Sequence, residues 1–222
     1  MMDLFFQPKS VAVIGASGKP GKLGYVIVKN IADSDFSGDV YPVNPKSDEI
    51  LGYKVYKSVT EIPGDVDLVV TALPTPKMTV ATLEECAAKG VKAVIIESAG
   101  FAEMGGDGKL YQQQIVDIAR KNNIRVMGPN CSGIVSRNIV TSIYPMTKKV
   151  SNGNVVLIGQ SGLLAAGMAS DIVENESLDI NKVCSIGNKC DVNENDLLEY
   201  FGEDESVDVI SMYLETVSDG AN

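Results

Sequence analysis

The chain of 222 residues carries 19 basic and 29 acidic side chains, a net charge of −10, four cysteines and no histidine. That length corresponds to one full domain and part of a second, and a composition 45% hydrophobic and 22% charged belongs to a globular chain that buries its own core. The acidic balance argues against nucleic acid as a partner, and the absence of histidine excludes Ser-His-Asp and Cys-His catalysis, histidine-liganded zinc and any phosphohistidine formed within this sequence.

Met1 to Lys9 holds an early acid and a short apolar cluster, Leu4-Phe5-Phe6, which is not a signal peptide. No run approaches the roughly 18 apolar residues of a membrane span. From Val11 onward, short apolar runs recur, each closed by Gly, Pro, Ser or Asn and usually followed by a longer segment with helical spacing. Val11 to Ile14, Val40 to Val43, Leu68 to Ala72, Ala93 to Ile96 and Ile124 to Met127 are predicted strands. Leu23 to Ala32, Met78 to Lys89 and Lys109 to Asn122 are predicted crossover helices, with Gly90 and Asn122-Asn123 as C-caps. Such β-α units build a buried parallel sheet, so residues 1–136 are expected to form a Rossmann-like, doubly wound α/β domain.

Residues 137–153 read as a linker that ends in the polar turn Ser151-Asn152-Gly153-Asn154. A second α/β cycle occupies 154–222: strand Val155 to Ile158, turn Gln160-Ser161-Gly162, helix Leu163 to Asn175, strand Lys182 to Ile186, helix Glu194 to Phe201 and strand Val207 to Tyr213. Three strands and two helices cannot cover both faces of a parallel sheet, so this domain is expected to be incomplete at Asn222. Cys86, Cys131, Cys184 and Cys190 form no C-x-x-C pair and read as reduced thiols of a cytoplasmic protein, with neither a disulfide nor a metal site expected.

In doubly wound sheets, ligands bind outside the carboxyl ends of the strands. After the first run comes Gly15-Ala16-Ser17-Gly18-Lys19-Pro20-Gly21-Lys22. Its glycines let a phosphate approach the backbone, the following helix points N–H groups at it, Lys19 and Lys22 add charge, and Pro20 suits the first helical turn. The spacing is G-x-x-G-x-x-G, not the dinucleotide G-x-G-x-x-G. After the second run, Asn44-Pro45-Lys46 puts a lysine where an NAD site carries an acid. That favours a ribose bearing an extra phosphate, as in NADP or coenzyme A (CoA).

The later ends, Ala72-Leu73-Pro74-Thr75-Pro76, Glu97-Ser98-Ala99-Gly100 and Gly128-Pro129-Asn130-Cys131-Ser132-Gly133, project from the same edge and fit a long, bent ligand lying across it. Each is also what an ordinary turn requires. Cys131, with no histidine to act as its base, reads as a packing or ligand-contact residue rather than a nucleophile. Gln160-Ser161-Gly162-Leu163 is a second strand-to-helix turn, whose free N–H groups and helix dipole favour an anion.

The segments Phe6 to Ser17, Val43 to Lys46, Ser98 to Phe101, Gly128 to Gly133, Gly159 to Gly162, Gly187 to Val192 and Tyr213 to Glu215 occur in an order that resembles the NDP-forming acyl-CoA synthetase superfamily. This is the group of ADP-forming acetyl-CoA synthetase and the succinyl-CoA synthetase α subunit. The resemblance covers nearly the whole chain. It implies a CoA-binding domain followed by a flavodoxin-like ligase domain that stops before its phosphohistidine. It implies CoA with its phosphates at Gly15, Ser17, Gly18, Lys19, Pro20 and Lys46, and with Pro74, Thr75, Glu97, Ser98, Asn130 and Cys131 along the path toward its thiol. Ser161, Gly162 and Leu163 would face a phosphate, and Glu215 would support the phosphohistidine that this sequence lacks. The implied activity converts acyl-CoA, phosphate and ADP to carboxylic acid, CoA and ATP. The implied partners are a small acyl substrate and an ATP-grasp domain or subunit that handles ADP, ATP and Mg. Two alternatives stand beside this reading: a non-catalytic CoA-sensing module, such as one fused to a protein acetyltransferase, and an NADP-dependent oxidoreductase.

Overall fold

The computed structural model describes residues 1–151, 153–175 and 178–217, with Met168 described by its backbone alone. Asn152 of the expected polar turn and residues 218–222 of the expected second domain lie outside the described residues. The chain starts with α1 (Asp3–Phe6), β1 (Ser10–Ile14), α2 (Leu23–Asp33) and β2 (Asp39–Val43), followed by a small hairpin of β3 (Glu49–Ile50) and β4 (Tyr53–Lys54). It continues through β5 (Leu68–Thr71), α3 (Pro76–Lys89), β6 (Ala93–Ile96), α4 (Asp107–Asn122), β7 (Arg125–Met127) and β8 (Ile134–Ser136). Then come β9 (Val155–Gly159), a π-helical stretch Leu163–Gly167 that runs into α5 (Met168–Asn175), β10 (Ile180–Ser185), α6 (Glu194–Gly202) and β11 (Val209–Tyr213).

The fold is α/β. The first sheet has the order β2-β1-β5-β6-β7 with every neighbouring pair parallel. Winding changes direction between β1 and β5, which makes that gap the topological switch point. All the predicted strands of this sheet form, and the predicted C-caps hold, with Gly90 at φ 86° and Asn123 at φ 54° in the left-handed region. Thr75 caps α3, its hydroxyl accepting from the Met78 N–H at 3.3 Å, with Pro76 at the first helical position.

A local expectation in the first loop fails. Pro20 does not sit in a first helical turn, because α2 begins only at Leu23 and Gly21, at φ 81°, turns the chain between them.

The second sheet runs β11-β9-β10-β8, with β8 antiparallel to β10 and the other pairs parallel. By sequence β8 lies within 1–136, yet it hydrogen-bonds to this sheet. The predicted helix from Leu163 is π-helical for its first five residues. The last strand starts at Val209 rather than Val207.

Alternation along β1 sends Val11 and Val13 to one face and Ala12 and Ile14 to the other, and all four are buried. Ala12, Ile14, Val69, Val94 and Val126 pack on Leu83 and Cys86 of α3 and on Ile115 and Ala119 of α4. The opposite face, with Val11, Val13, Leu68, Val70 and Ile95, packs on Phe5, Phe6, Ile27 and Ile31. The same contiguous cluster takes in Ile158, Cys184, Leu197 and Phe201 of the second unit, so the two sheets share one core.

The free edge of β7 is covered. The N–H groups of Asn188, Cys190 and Val192 donate to the carbonyls of Pro129, Gly128 and Val126 at 2.8, 3.0 and 3.0 Å. Arg125 completes the junction, with Nε on Asp191 at 2.9 Å and Nη2 on Asp196 at 2.9 Å. These three side chains are each 22 to 29% exposed, so their attraction is only partly screened. No helix among the described residues is long and apolar enough to cross a membrane.

Removing the guanidinium leaves two carboxylates facing each other across this junction. The variant Arg125→Ala is expected to lose about 2 kcal/mol of unfolding free energy, measured by urea denaturation. An unchanged midpoint would show that the junction does not depend on this residue.

Candidate functional site

A cleft of about 780 Å³ opens at the carboxyl ends of the first sheet, on the side that faces the second unit. One wall comes from the loops after β1 (Gly15, Ala16, Ser17), β5 (Ala72, Leu73, Pro74), β6 (Glu97, Ser98) and β7 (Asn130, Cys131, Ser132). The other comes from Gln160, Ser161, Gly162 and Leu163 after β9 and from Glu215 after β11. The two anion-binding turns read from the sequence therefore face the same space.

The first loop is held close by glycine. A Cβ on Gly15 would lie 2.5 Å from the Ala72 carbonyl oxygen, and one on Gly24, in the first turn of α2, would lie 2.0 Å from the Gly15 carbonyl oxygen. Helix, strand and neighbouring strand end can approach only because both side chains are absent. A Cβ on Gly18, by contrast, would meet only the Ile50 side chain at 4.0 Å, so no close approach depends on glycine there.

The loops are stitched to one another. Ser98 Oγ accepts from the Leu73 N–H at 2.9 Å, and the Ser98 carbonyl accepts from the Asn130 N–H at 3.0 Å. Asn44 Nδ2 donates to the Ala16 carbonyl at 2.7 Å, while its Oδ1 accepts from the Lys46 N–H at 2.8 Å. Across the cleft, Ser132 Oγ donates to the Gly162 carbonyl at 3.0 Å and so joins the two walls.

Among the sequence-predicted residues, Gly15, Ser17, Pro74, Glu97, Ser98, Asn130, Cys131, Ser161, Gly162, Leu163 and Glu215 line the cleft together. Gly18, Lys19, Pro20, Lys46 and Thr75 do not; they are exposed and lie one or two residues along the chain from a lining residue. The Ser17 hydroxyl accepts from the Lys19 N–H at 3.1 Å, which folds the loop onto itself.

Ile143 and Tyr144 from the expected linker, which the sequence reading passed over, also line it, together with Lys22, read as charge beside the first loop, and Gln160, read as a turn residue. The Gln160 side chain explains where Glu215 sits. Its Oε1 accepts from the Glu215 and Thr216 N–H groups at 2.8 and 3.0 Å. From the other side, Lys189 Nζ donates to the Thr216 carbonyl at 2.6 Å while pairing with Glu194 at 2.9 Å in a site where both side chains are under 8% exposed. Gln160 stands in a quoted motif and was legible as a turn residue, but nothing local marks it as a clamp on a segment 55 residues away.

Two groups inside the cleft have unusual titration. Glu97 is 6% exposed, neither carboxyl oxygen has a hydrogen-bond partner, and burial lifts it well above the usual carboxylate value. Cys131 donates to the Ile96 carbonyl at 3.3 Å, and burial, followed by the nearby Glu97, pushes its thiol up rather than down. A thiolate nucleophile is thus disfavoured at Cys131. Among the described residues, no group of three or more acidic or cysteine side chains is arranged to hold a metal ion.

Comparison with known proteins places this geometry. Residues 9–137 match the model of the CoA binding domain family, and residues 152–222 match that of the succinyl-CoA ligase like flavodoxin domain. The chain is similar to the alpha subunit of acetate–CoA ligase (ADP-forming) II of Pyrococcus furiosus, at 43% identity over 222 residues that cover 99% of this chain and 47% of that protein. It is similar to the acetate–CoA ligase (ADP-forming) of Methanocaldococcus jannaschii, at 44% identity over 215 residues, 96% of this chain and 29% of that protein. Among solved structures, a dinucleotide forming acetyl-coenzyme A synthetase 1 from Ca. Korarchaeum cryptofilum, in complex with phosphate and ADP, superimposes with a TM-score of 0.92 at 34% identity, covering 99% of this chain and 47% of that one. The chain spans less than half the length of each of these relatives.

Two outcomes follow from the buried groups. Burial raises Cys86 and Cys190 to about 12 and raises Cys131 and Cys184 as well, so native thiols should resist alkylation at about pH 8 and react on unfolding, as mass spectrometry would record. Burial favours the protonated Glu97 carboxyl in the folded protein, whereas the unfolded chain releases that proton above about 4.5, so its contribution to stability falls as pH rises above that value. Glu97→Gln should therefore gain on the wild type by up to about 1.4 kcal/mol per pH unit there, read from denaturation at about pH 5 and about pH 8. Parallel pH profiles would contradict a protonated Glu97.

Proposed function

We propose, for a chain that belongs to the CoA-binding domain family, that the cleft binds CoA as part of an ADP-forming acyl-CoA ligase. The observation that carries this is the convergence of two anion-binding turns, after β1 and after β9, on one cleft at the carboxyl edge of a doubly wound sheet. The space of about 780 Å³ lies within the range of cofactor-sized sites. Its fit to a thiol-ended, phosphate-bearing ligand is supported by the glycine-bared backbone at Gly15 and by the cation Lys22 on the lining. Glu97, a buried carboxyl without a partner, supports a polar contact deeper in.

In this reading residues 1–136 form the CoA-binding domain, 137–153 link it to the next, and 154–222 belong to the ligase domain. Gly15, Ser17, Gly18, Lys19 and Pro20 surround the phosphates of CoA, and Lys46 meets the ribose phosphate as a point charge on a flexible stem. Pro74, Thr75, Ser98 and Asn130 guide the pantetheine arm, and Cys131 packs beneath it. Ser161, Gly162 and Leu163 present helix-start N–H groups to inorganic or acyl-bound phosphate, and the dipole there favours negative charge.

Glu215 positions a phosphate-carrying histidine. The sequence contains no histidine, so that residue comes from outside these 222. ADP, ATP and Mg are handled by an ATP-grasp domain or subunit in the same way. The overall conversion is acyl-CoA, phosphate and ADP to carboxylic acid, CoA and ATP, with a small acyl group, in the cytoplasm.

Isothermal calorimetry of the chain with CoA tests the reading. CoA should bind with release of heat and raise the melting temperature, and Lys19→Ala and Lys46→Ala should each weaken binding about threefold to tenfold, as loss of one charge-assisted phosphate contact does. Binding of NADPH in place of CoA would sink it.

A further inference from the structure

Glu97 is the one carboxyl of the described residues that is buried with both oxygens unpartnered; the only other buried side-chain polar atom without a partner there is Thr71 Oγ1. Its neighbour Ser98, in the same loop, holds the loops together by accepting at its hydroxyl and at its carbonyl oxygen. Glu97 holds nothing. It lines the cleft at the end of β6, and the chain makes room for it: a Cβ on Gly133 would lie 2.5 Å from Glu97 Oε1. A buried polar group with no internal partner needs either a rationale in the fold or a ligand.

We propose that the Glu97 carboxyl group is the proton donor to, and acceptor from, the sulfur of CoA as that sulfur leaves or attacks an acyl carbonyl carbon. This rests on the CoA reading above and deepens it. In the direction of ATP formation, an oxygen of phosphate attacks the thioester carbonyl carbon and forms the C–O bond. The C–S bond breaks, its electron pair leaves with sulfur, and the Glu97 proton passes to that sulfur, giving the thiol and a carboxylate. In the opposite direction, the carboxylate takes the thiol proton as sulfur attacks the acyl phosphate and phosphate leaves.

The surroundings suit this role. Burial favours the protonated form of Glu97, which is the form a departing thiolate needs. The groups close to it are the Cys131 thiol and the Thr141 hydroxyl, both neutral, and that thiol is already bonded to the Ile96 carbonyl. Glu215 belongs to the opposite wall, beside the phosphate-binding turn.

The test compares CoA with desulfo-CoA, which lacks only the sulfur, by calorimetry on the wild type and on Glu97→Met. It also follows the ultraviolet thiolate absorbance of bound CoA against pH in the wild type and in Glu97→Gln, with the desulfo-CoA complex subtracted. The wild type should prefer CoA about fivefold, Glu97→Met should bring the ratio to about one, and both should bind desulfo-CoA alike. The bound thiol should ionise above the pH of free CoA in the wild type, because a carboxylate forms beside it first, and about one pH unit or more lower in Glu97→Gln. Equal affinities in the wild type, a ratio unchanged in Glu97→Met, or the same thiol ionisation with and without the acid would each overturn the assignment. Should the variants not fold, the wild-type ratio and the wild-type thiol titration decide alone. Binding of both nucleotides alike removes the role of Glu97 and leaves the CoA reading standing; binding of neither by the folded wild type removes both.

Discussion

The arrangement of both sheets depends on one short segment, 187–192, laid along the edge of β7. Its three N–H groups satisfy carbonyls that would otherwise be exposed at the end of the first sheet, an edge that proteins must cover or blunt. Close approach requires glycine at its start, since a Cβ on Gly187 would lie 2.3 Å from the Pro129 carbonyl oxygen. The side chains between these bonds then do separate jobs. Asn188 Nδ2 donates to Glu103 and Gln112 at 2.6 and 2.9 Å and so fastens the loop after β6. Burial would raise the Glu103 carboxyl, but bonds from Asn188, Gly100 and Phe101 outweigh it and hold it below its usual value. Lys189, in the left-handed region at φ 51°, reaches the carbonyl of Thr216 and so fixes the segment that carries Glu215. The two walls of the cleft therefore owe their spacing to backbone pairing rather than to surface charge.

That rigidity makes the state of Glu97 meaningful. A buried polar group without a hydrogen bond costs about 1 to 3 kcal/mol, against a total stability of about 5 to 15 kcal/mol for an ordinary domain. Elsewhere the same loops satisfy their polar groups: Ser98, Asn44, Ser132 and Gln160 each have partners. Among the described residues, the two Glu97 oxygens are the buried side-chain polar atoms of the cleft lining that lack a partner, and they lie at the sheet edge that faces the second unit.

The sequence carried the β-α alternation well, because strands buried on both faces read as continuous apolar runs and their ends are punctuated by Gly, Pro and Asn. Val11 to Ile14 and Ala93 to Ile96 are found as strands, and Gly90 and Asn123 close their helices. What it did not carry was contact at long range. β8 is three residues, Ile134–Ser136, too short for a period, and its partner β10 lies far along the chain. Ile143 and Tyr144 sit in a segment with no regular structure, so their place on the cleft has no local signature. Gly24 was hidden inside a predicted helix, where a glycine reads as a weakness; its true reason is the Gly15 carbonyl against it. Pro20 failed for the opposite reason, since its preference for a first helical turn is real but Gly21 delays the helix.

The division between the walls also bears on why one chain contains both. An acyl transfer between sulfur and phosphate needs a site that holds the sulfur end of one reactant against the oxygen of another, with water kept out. A single sheet edge can line a long ligand but presents its strand ends from one side only. Here the second wall supplies a helix start at Ser161 to Leu163 and an acid whose backbone is gripped by Gln160 on one side and whose neighbour Thr216 is gripped by Lys189 on the other. The main chain at Glu215 is thus fixed while the residue stays exposed, with no hydrogen bond or ion pair to its carboxylate among the described residues. An acid held firmly by its main chain and left open at its side chain is arranged to meet a group that comes to it. In the proposed reaction that group is a histidine from beyond these 222 residues.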